Sequence, residues 1–161
     1  SARVSVDLQQ PGVRWSGHAY LDTNRGAVPL ERSFHGWHWS RTRLPDGRSR
    51  LLYDVDALDG QGALLALEVT PDGSTRICDA PPLRALTNSR WGIERVTRAA
   101  ADAEVAVVGV LEDAPFYVRS ALRVTEGGQD FPAVHESLSL RRFVAPWVQW
   151  MLPFRMPRVP W

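Results

Sequence analysis

The sequence contains no lysine: all 19 basic residues are arginine, against 18 acidic ones in 161 residues. The resulting net charge of +1 leaves no global basic field, so the electrostatic footprint of a nucleic-acid binder is missing. The absence of lysine itself reads as codon bias in a GC-rich gene. Cysteine is almost as scarce. A lone Cys78 rules out an internal disulfide framework and a multi-cysteine zinc site, and suits a reducing compartment. No apolar run approaches the roughly 20 residues of a membrane-spanning helix, and no signal-peptide pattern is visible. The chain opens "SARVSV" without an initiator methionine, which reads as a processed chain or one part of a longer product. Phosphate loop, dinucleotide fingerprint and nucleophile elbow are all missing, so nucleotide chemistry and a Ser/His/Asp triad have no motif to anchor them.

What remains is an ordinary globular composition, 44% hydrophobic and 23% charged, in a chain long enough for one domain with a real core. Short β-like runs follow one another: "ARVSVDL", "VRWSGHAYLD", "SFHGWHWSRTRL", "SRLLYDVDAL", "ALLALEVT", "STRICDA", and later "EVAVVGVLED", "FYVRSALRVT" and "AVHESLSLRR". "PDGRS", "LDGQG" and "PDGST" supply turn residues between them. This pattern predicts an antiparallel barrel or sandwich with at most short helical segments. Between residues 89 and 104, "RAAADAE" has good helix formers and predicts one or two turns of helix.

Three stretches carry candidate chemistry. As a strand, "GHAYLDTNRG" (residues 17–26) puts His18, Tyr20 and Asp22 on one face and Val13, Trp15, Ala19 and Leu21 on the other. A carboxyl group held among apolar groups stays protonated more readily and can act as an acid, with Tyr20 orienting its proton. On pattern alone, a strand face that simply meets water is the preferred reading. In "FHGWHW" (residues 34–39), His35 and His38 fall on opposite faces of a strand, so no joint metal site is expected. Trp37 and Trp39 share a face with His35, as core filling or as a wall around an apolar or cationic guest. Asp54 and Asp56 in "LYDVD" alternate with Tyr53 and Val55 as an outward face would. Glu112, Asp113 and His135 are titratable groups with no local motif.

The end of the chain differs in character. Residues 141–161 hold four arginines and no acid, interleaved with Phe143, Trp147, Trp150, Phe154 and Trp161. "APWVQWML" predicts a short helix with Pro146 in its first turn. Aromatic and arginine interleaving suits a membrane interface; a tail packed on its own domain, with arginine stems covering apolar surface, is the other reading.

Taken together, "WSGHAYLDTNRGAVPLERSFHGWHWSR" and "LLYDVDALDG" resemble the central block of the bacterial carotenoid 1,2-hydratases, also called hydroxyneurosporene synthases. "LEDAPFYVRSAL" and "HESLSLRRFVAPWVQWMLPFRMPR" resemble that family's C-terminal block. The resemblance runs over nearly the whole chain and rests on long, idiosyncratic segments. It implies an antiparallel lipocalin-like β-barrel or calyx over residues 1–140, followed by the arginine- and tryptophan-rich segment 141–161. Full-length members have two β domains, so this chain would be the second half. The partner would be the missing N-terminal domain or chain, with a His-x-Trp element shortly before "ARVSV".

The implied reaction adds water across the terminal 1,2 double bond of an acyclic carotenoid such as neurosporene or lycopene, with no redox cofactor and no metal. Protonation at C2 places a tertiary carbocation at C1, which water captures; aromatic faces stabilise such a cation by roughly 0.5 to 2 kcal/mol for each well-placed ring. The family's Tyr-x-Asp element falls on Tyr20 and Asp22, which implies Asp22 as proton donor and Tyr20 as its hydrogen-bond partner. Trp37 and Trp39 are then the cavity wall, with His38 a polar substrate-binding group on the other side of that strand. The implied setting is the cytoplasmic side of a bacterial membrane, with a peripheral membrane surface and the hydrophobic carotenoid as partners and no nucleic acid. Two other readings share the fold: a non-catalytic carrier of a hydrophobic polyene, and a polyene or terpenoid cyclase.

Overall fold

The computed structural model describes residues 2–154. Strands β1 (Ala2–Leu8) and β2 (Val13–Ala19) form a hairpin of their own, with Ala2 opposite Ala19 and Leu8 opposite Val13. Its residues are exposed or half-exposed throughout. An extended segment and a single 3-10 turn at Leu30–Arg32 lead into the main chain of strands. These are β3 (Phe34–Arg43), β4 (Ser49–Ala57), β5 (Ala63–Val69), β6 (Thr75–Ile77), β7 (Leu83–Leu86), β8 (Arg95–Arg98), β9 (Glu104–Asp113), β10 (Tyr117–Glu126) and β11 (Gln129–Ser139). Helices α1 (Leu140–Phe143) and α2 (Pro146–Met151) follow. Seven strands make one antiparallel sheet in the order β6-β5-β4-β3-β11-β10-β9, and β7 pairs with β8 in a separate hairpin. The protein is mostly β, as the alternating runs predict.

The turns are where the sequence marks them. Gly47 and Gly73 follow the "PD" of the β3–β4 and β5–β6 turns with φ of 83° and 91°, a region that favours glycine. Asp46 and Asp72 brace these turns by accepting backbone N–H bonds at 3.0 Å from Arg48 and Ser74, each two residues on.

Directly opposed residues of neighbouring strands share a face, so the ladders sort the sheet into two sides. One side carries Leu52, Ala66, Val118, Leu122 and Ala133, all buried, and β8 packs across it. Fully burying a side chain such as Leu122 stabilises the fold by about 1.5–3 kcal/mol. Polar residues are buried on the same side: Ser40, Ser120, His135 and Ser137. They receive β8 residue by residue. Arg95 donates to Ser120 Oγ at 3.0 Å, the Val96 carbonyl accepts from His135 Nε2 at 2.9 Å, and Arg98 Nε donates to both Asp54 carboxylate oxygens at 2.9 and 3.0 Å.

That stitching explains a departure from expectation. Residues 89–104 form no helix; they contribute β8 and a tight turn in which Ala103 N–H donates to the Ala100 carbonyl at 3.1 Å. Intrinsic helix propensity is worth only tenths of a kcal/mol per residue, and the pairing with β7 and the side-chain bonds to the sheet outweigh it. A second departure is that β2 ends at Ala19, the last pair of its ladder, so Tyr20 and Asp22 lie beyond the strand that was expected to carry them.

Helix α2 does begin with Pro146 at its first position. Buried Leu140 and Val148 dock the two helices, Phe143 meets Phe116 at 5.1 Å, and Trp147 stacks on Trp91 at 6.3 Å. Part of segment 141–161, through Phe143, Trp147 and Val148, is thus packed on the preceding chain, while Trp150 and Phe154 stay exposed. Its residues 155–161, Trp161 included, lie outside the described residues.

Candidate active site

The other side of the sheet is lined by Trp37, Trp39 and Arg41 from β3, Tyr53 from β4, Glu136 from β11, and Tyr117 and Arg119 from β10. Alternation along each strand selects them: each is an immediate neighbour of a residue that points to the β8 side. All but the exposed Arg119 are half-buried. Trp37 meets the edge of Tyr53 at 6.1 Å with an interplanar angle of 84°.

Tyr20 arrives on this face from the segment after β2. Its ring lies 5.4 Å from that of Trp39, and the Arg41 guanidinium sits 5.0 Å from the centre of the Tyr20 ring. Its hydroxyl donates to Asp22 Oδ2 at 3.1 Å. Burial, then the hydrogen bond to Asp22 and the charges of Asp22 and Glu136, push the Tyr20 phenol up to about 12 against the opposing pull of Arg41. It therefore stays protonated, and a donor, at any physiological pH. Burial also raises Tyr53, again with the charges of Asp22 and Glu136 adding to the effect. Asp22 itself is exposed in the structure.

Of the residues singled out from the sequence, Tyr20, Asp22, Trp37 and Trp39 are brought to one face. Tyr20 and Asp22 are joined there by a hydrogen bond and not by strand alternation, because β2 has already ended. His38 is kept apart from them on the β8 side, as expected for its place in β3. Its Nδ1 shares a hydrogen bond of 2.7 Å with Ser137 Oγ, and its ring stacks 6.4 Å from that of His135. Burial lowers the pKa of His38, against the charges of Asp54, Glu94 and Asp56. His38 opens onto a cavity of about 560 Å³ with Asp54, Asp56, Glu94, Ile93 and Val96 in its wall; Trp37 also borders it, whereas Tyr20, Asp22 and Trp39 do not. His18 stays exposed in β2. Asp54 does not face outward: it is held by Arg98 at 2.8 Å, with the two side chains 22% and 16% exposed.

Sequence reasoning missed Glu136. It stands next to His135 in "AVHESLSL", and the strand alternation that sends His135 to one face sends Glu136 to the other. Its partner is Arg119, whose Nε lies 3.2 Å from Oε1. Only the register of β11 against β3, which sets Glu136 opposite Trp39, reveals the neighbourhood.

Among known proteins, the profile of the family Carotenoid hydratase CrtC matches residues 1–161. An acyclic carotenoid 1,2-hydratase of Thiocapsa roseopersicina is 50% identical over 159 residues, covering 98% of this chain and 39% of that protein. One from Cereibacter sphaeroides is 42% identical over 160 residues, covering 99% and 57%. A quinolone epoxide rearrangement protein of Emericella nidulans is 33% identical over 90 residues, or 55% of this chain and 24% of that protein. The chain therefore spans 39% to 57% of the length of these two hydratases.

Proposed function

The chain belongs to the family of the carotenoid hydratase CrtC, and from that premise we propose that its aromatic face protonates and hydrates the terminal 1,2 double bond of an acyclic carotenoid. The observation that carries this reading is the Tyr20–Asp22 pair laid over Trp39. Tyr20 holds Oδ2 of Asp22, which leaves Oδ1 to carry the acidic proton. The alkene π pair takes that proton at C2, the O–H electrons stay on Asp22, and C1 becomes a tertiary carbocation. Water then bonds to C1 to give the tertiary alcohol. Trp37, Trp39 and Tyr53 offer π faces to the cation, roughly 0.5 to 2 kcal/mol for each ring well placed. No redox step occurs, and none of the residues in these roles is asked to hold a metal.

An alkene is a weak base, so the acid works best with bulk water excluded. In this reading the seven-stranded sheet is one wall of an antiparallel lipocalin-like calyx, and the polyene lies along the aromatic face. The further length of the hydratase relatives, outside the matched region, supplies the rest of the cover. Helix α2 and the residues after it face the lipid that dissolves the substrate: Trp150 of α2 and Phe154 beyond it are 78% and 66% exposed, and residues 140–154 contain no acid.

The test is incubation of the protein with lycopene in detergent micelles and mass analysis of the products, wild type against Asp22→Asn. A gain of one water that Asp22→Asn abolishes is the expected result. Carotenoid retained at unchanged mass and unchanged retention time by both proteins would make this a carrier and sink the hydratase reading. A second reading is favoured by the relative named for epoxide rearrangement: an acid-started isomerisation or cyclisation on the same face. It would give a product of unchanged mass and altered retention time.

A further inference from the structure

Hydration of an alkene needs two proton transfers, one onto carbon and one off the attacking water. The hydratase reading, on which this inference rests, names a group for the first only. We propose that Glu136 is the base for the second, taking the proton from the water molecule as its oxygen bonds to C1.

The placement is specific. Glu136 pairs across the ladder with Trp39 on one side and with Arg119 on the other. Trp39 is also the ring that meets Tyr20, the partner of Asp22. A cation resting on Trp39 thus has Asp22 reaching it by way of Tyr20 and Glu136 reaching it from the next strand. The charges of both carboxylates are felt at Tyr20 and at Tyr53, which places both within electrostatic range of the same two rings.

Their partners separate their roles. Asp22 accepts from the Tyr20 phenol, a neutral donor. Glu136 is paired with the Arg119 guanidinium at 3.2 Å, the kind of contact a carboxylate makes. An arginine-paired carboxylate is a modest base, but an oxonium ion is acidic enough to give up its proton to one. The same negative charge faces the carbocation while it exists.

The balance closes. Asp22 loses a proton to C2 and the π pair forms the C–H bond. Water gives a lone pair to C1, and the electrons of one of its O–H bonds stay on oxygen as that proton passes to Glu136. Solvent exchange then returns a proton from Glu136 to Asp22, so each turnover consumes only the alkene and one water.

The experiment is turnover of lycopene in detergent micelles made up in D2O, with mass analysis of both the alcohol and the recovered alkene. Wild type should give alcohol carrying deuterium on carbon. In Glu136→Gln, alcohol formation should fall by about 10²–10⁴-fold, the usual weight of a general base. Protonation by Asp22 continues, and the uncaptured cation collapses back by losing a proton, so the recovered alkene should gain deuterium. Asp22→Asn should show neither product nor exchange, and Glu136→Asp should restore part of the alcohol. Alcohol formation by Glu136→Gln within about threefold of wild type would overturn the proposal. So would its loss without deuterium entering the alkene, because Glu136 would then act in protonation or in structure. A wild type that adds no water, either alone or joined to the further length that its hydratase relatives carry, would sink the hydratase reading and this role with it, an outcome visible before any variant is made.

Discussion

On the β8 side of the sheet, His135, Ser120 and Ser137 are almost wholly buried, and each makes a hydrogen bond within the protein, although His135 Nδ1 makes none. On the aromatic side, Trp37, Trp39, Tyr53 and Glu136 are half-exposed, and Asp22 is exposed beside them. The same strands build both sides, one residue apart. Polar groups taken out of water cost a few kcal/mol each unless they are bonded, so the closed side spends its polar chemistry on holding β8. Among the described residues, the open side keeps its carboxylates and π faces half-exposed or exposed. Polar residues in this sequence are therefore structural on one face and available to a ligand on the other, and residue type alone does not separate the two.

Substitutions should separate these sides by readout. The largest effect belongs to the open side: Asp22→Asn should lower hydration by about 10²–10⁴-fold while leaving the thermal unfolding midpoint where it is in wild type. Next comes the closed side. Burial lowers His135 from 6.5 to about 4, so below pH 6.5 the unfolded chain binds a proton that the folded protein refuses. Stability should therefore fall as pH drops from 6.5 toward 4, by up to about 3 kcal/mol, and level off below that. Urea unfolding at pH 7 and pH 5 measures it, and His135→Gln should flatten the slope.

A smaller loss is expected from Arg98→Ala, which leaves the half-buried Asp54 without its two-point partner. About 2 kcal/mol of stability should go, less than for a fully buried pair because both side chains retain some water. Calorimetry reads that change, and a loss of turnover at unchanged stability would break the comparison by moving β8 into the catalytic machinery. Smallest is Trp39→Ala, with about 1 kcal/mol lost from cation stabilisation. It should appear as a several-fold drop in kcat/KM, with the unfolding midpoint little changed because the ring is half-exposed.

Much of this architecture was legible before any coordinates. The nine strands read from alternating runs are all present, the "PDG" turns fall at Gly47 and Gly73, and Pro146 opens α2. The hairpin of β7 and β8 was not legible, because "LRAL" and "RVTR" are too short for a period to register, and much of what holds β8 is bonding to residues 25 to 57 positions away. The Tyr20–Asp22 pair was found for a reason only half right. Strand alternation put the two together on paper, whereas in the protein the ladder has stopped and a hydrogen bond joins them. Glu136 gave no signal at all, since one carboxylate in an alternating strand resembles any solvated position.

By itself, then, the sequence determined the elements whose cause is local: strand periodicity, turn chemistry, a proline-started helix, and the family that its long segments resemble. Only the tertiary structure decided which side of the sheet closes and which carboxylate meets which ring. Those outcomes depend on register between strands distant in sequence, and a shift of one residue would exchange the two faces.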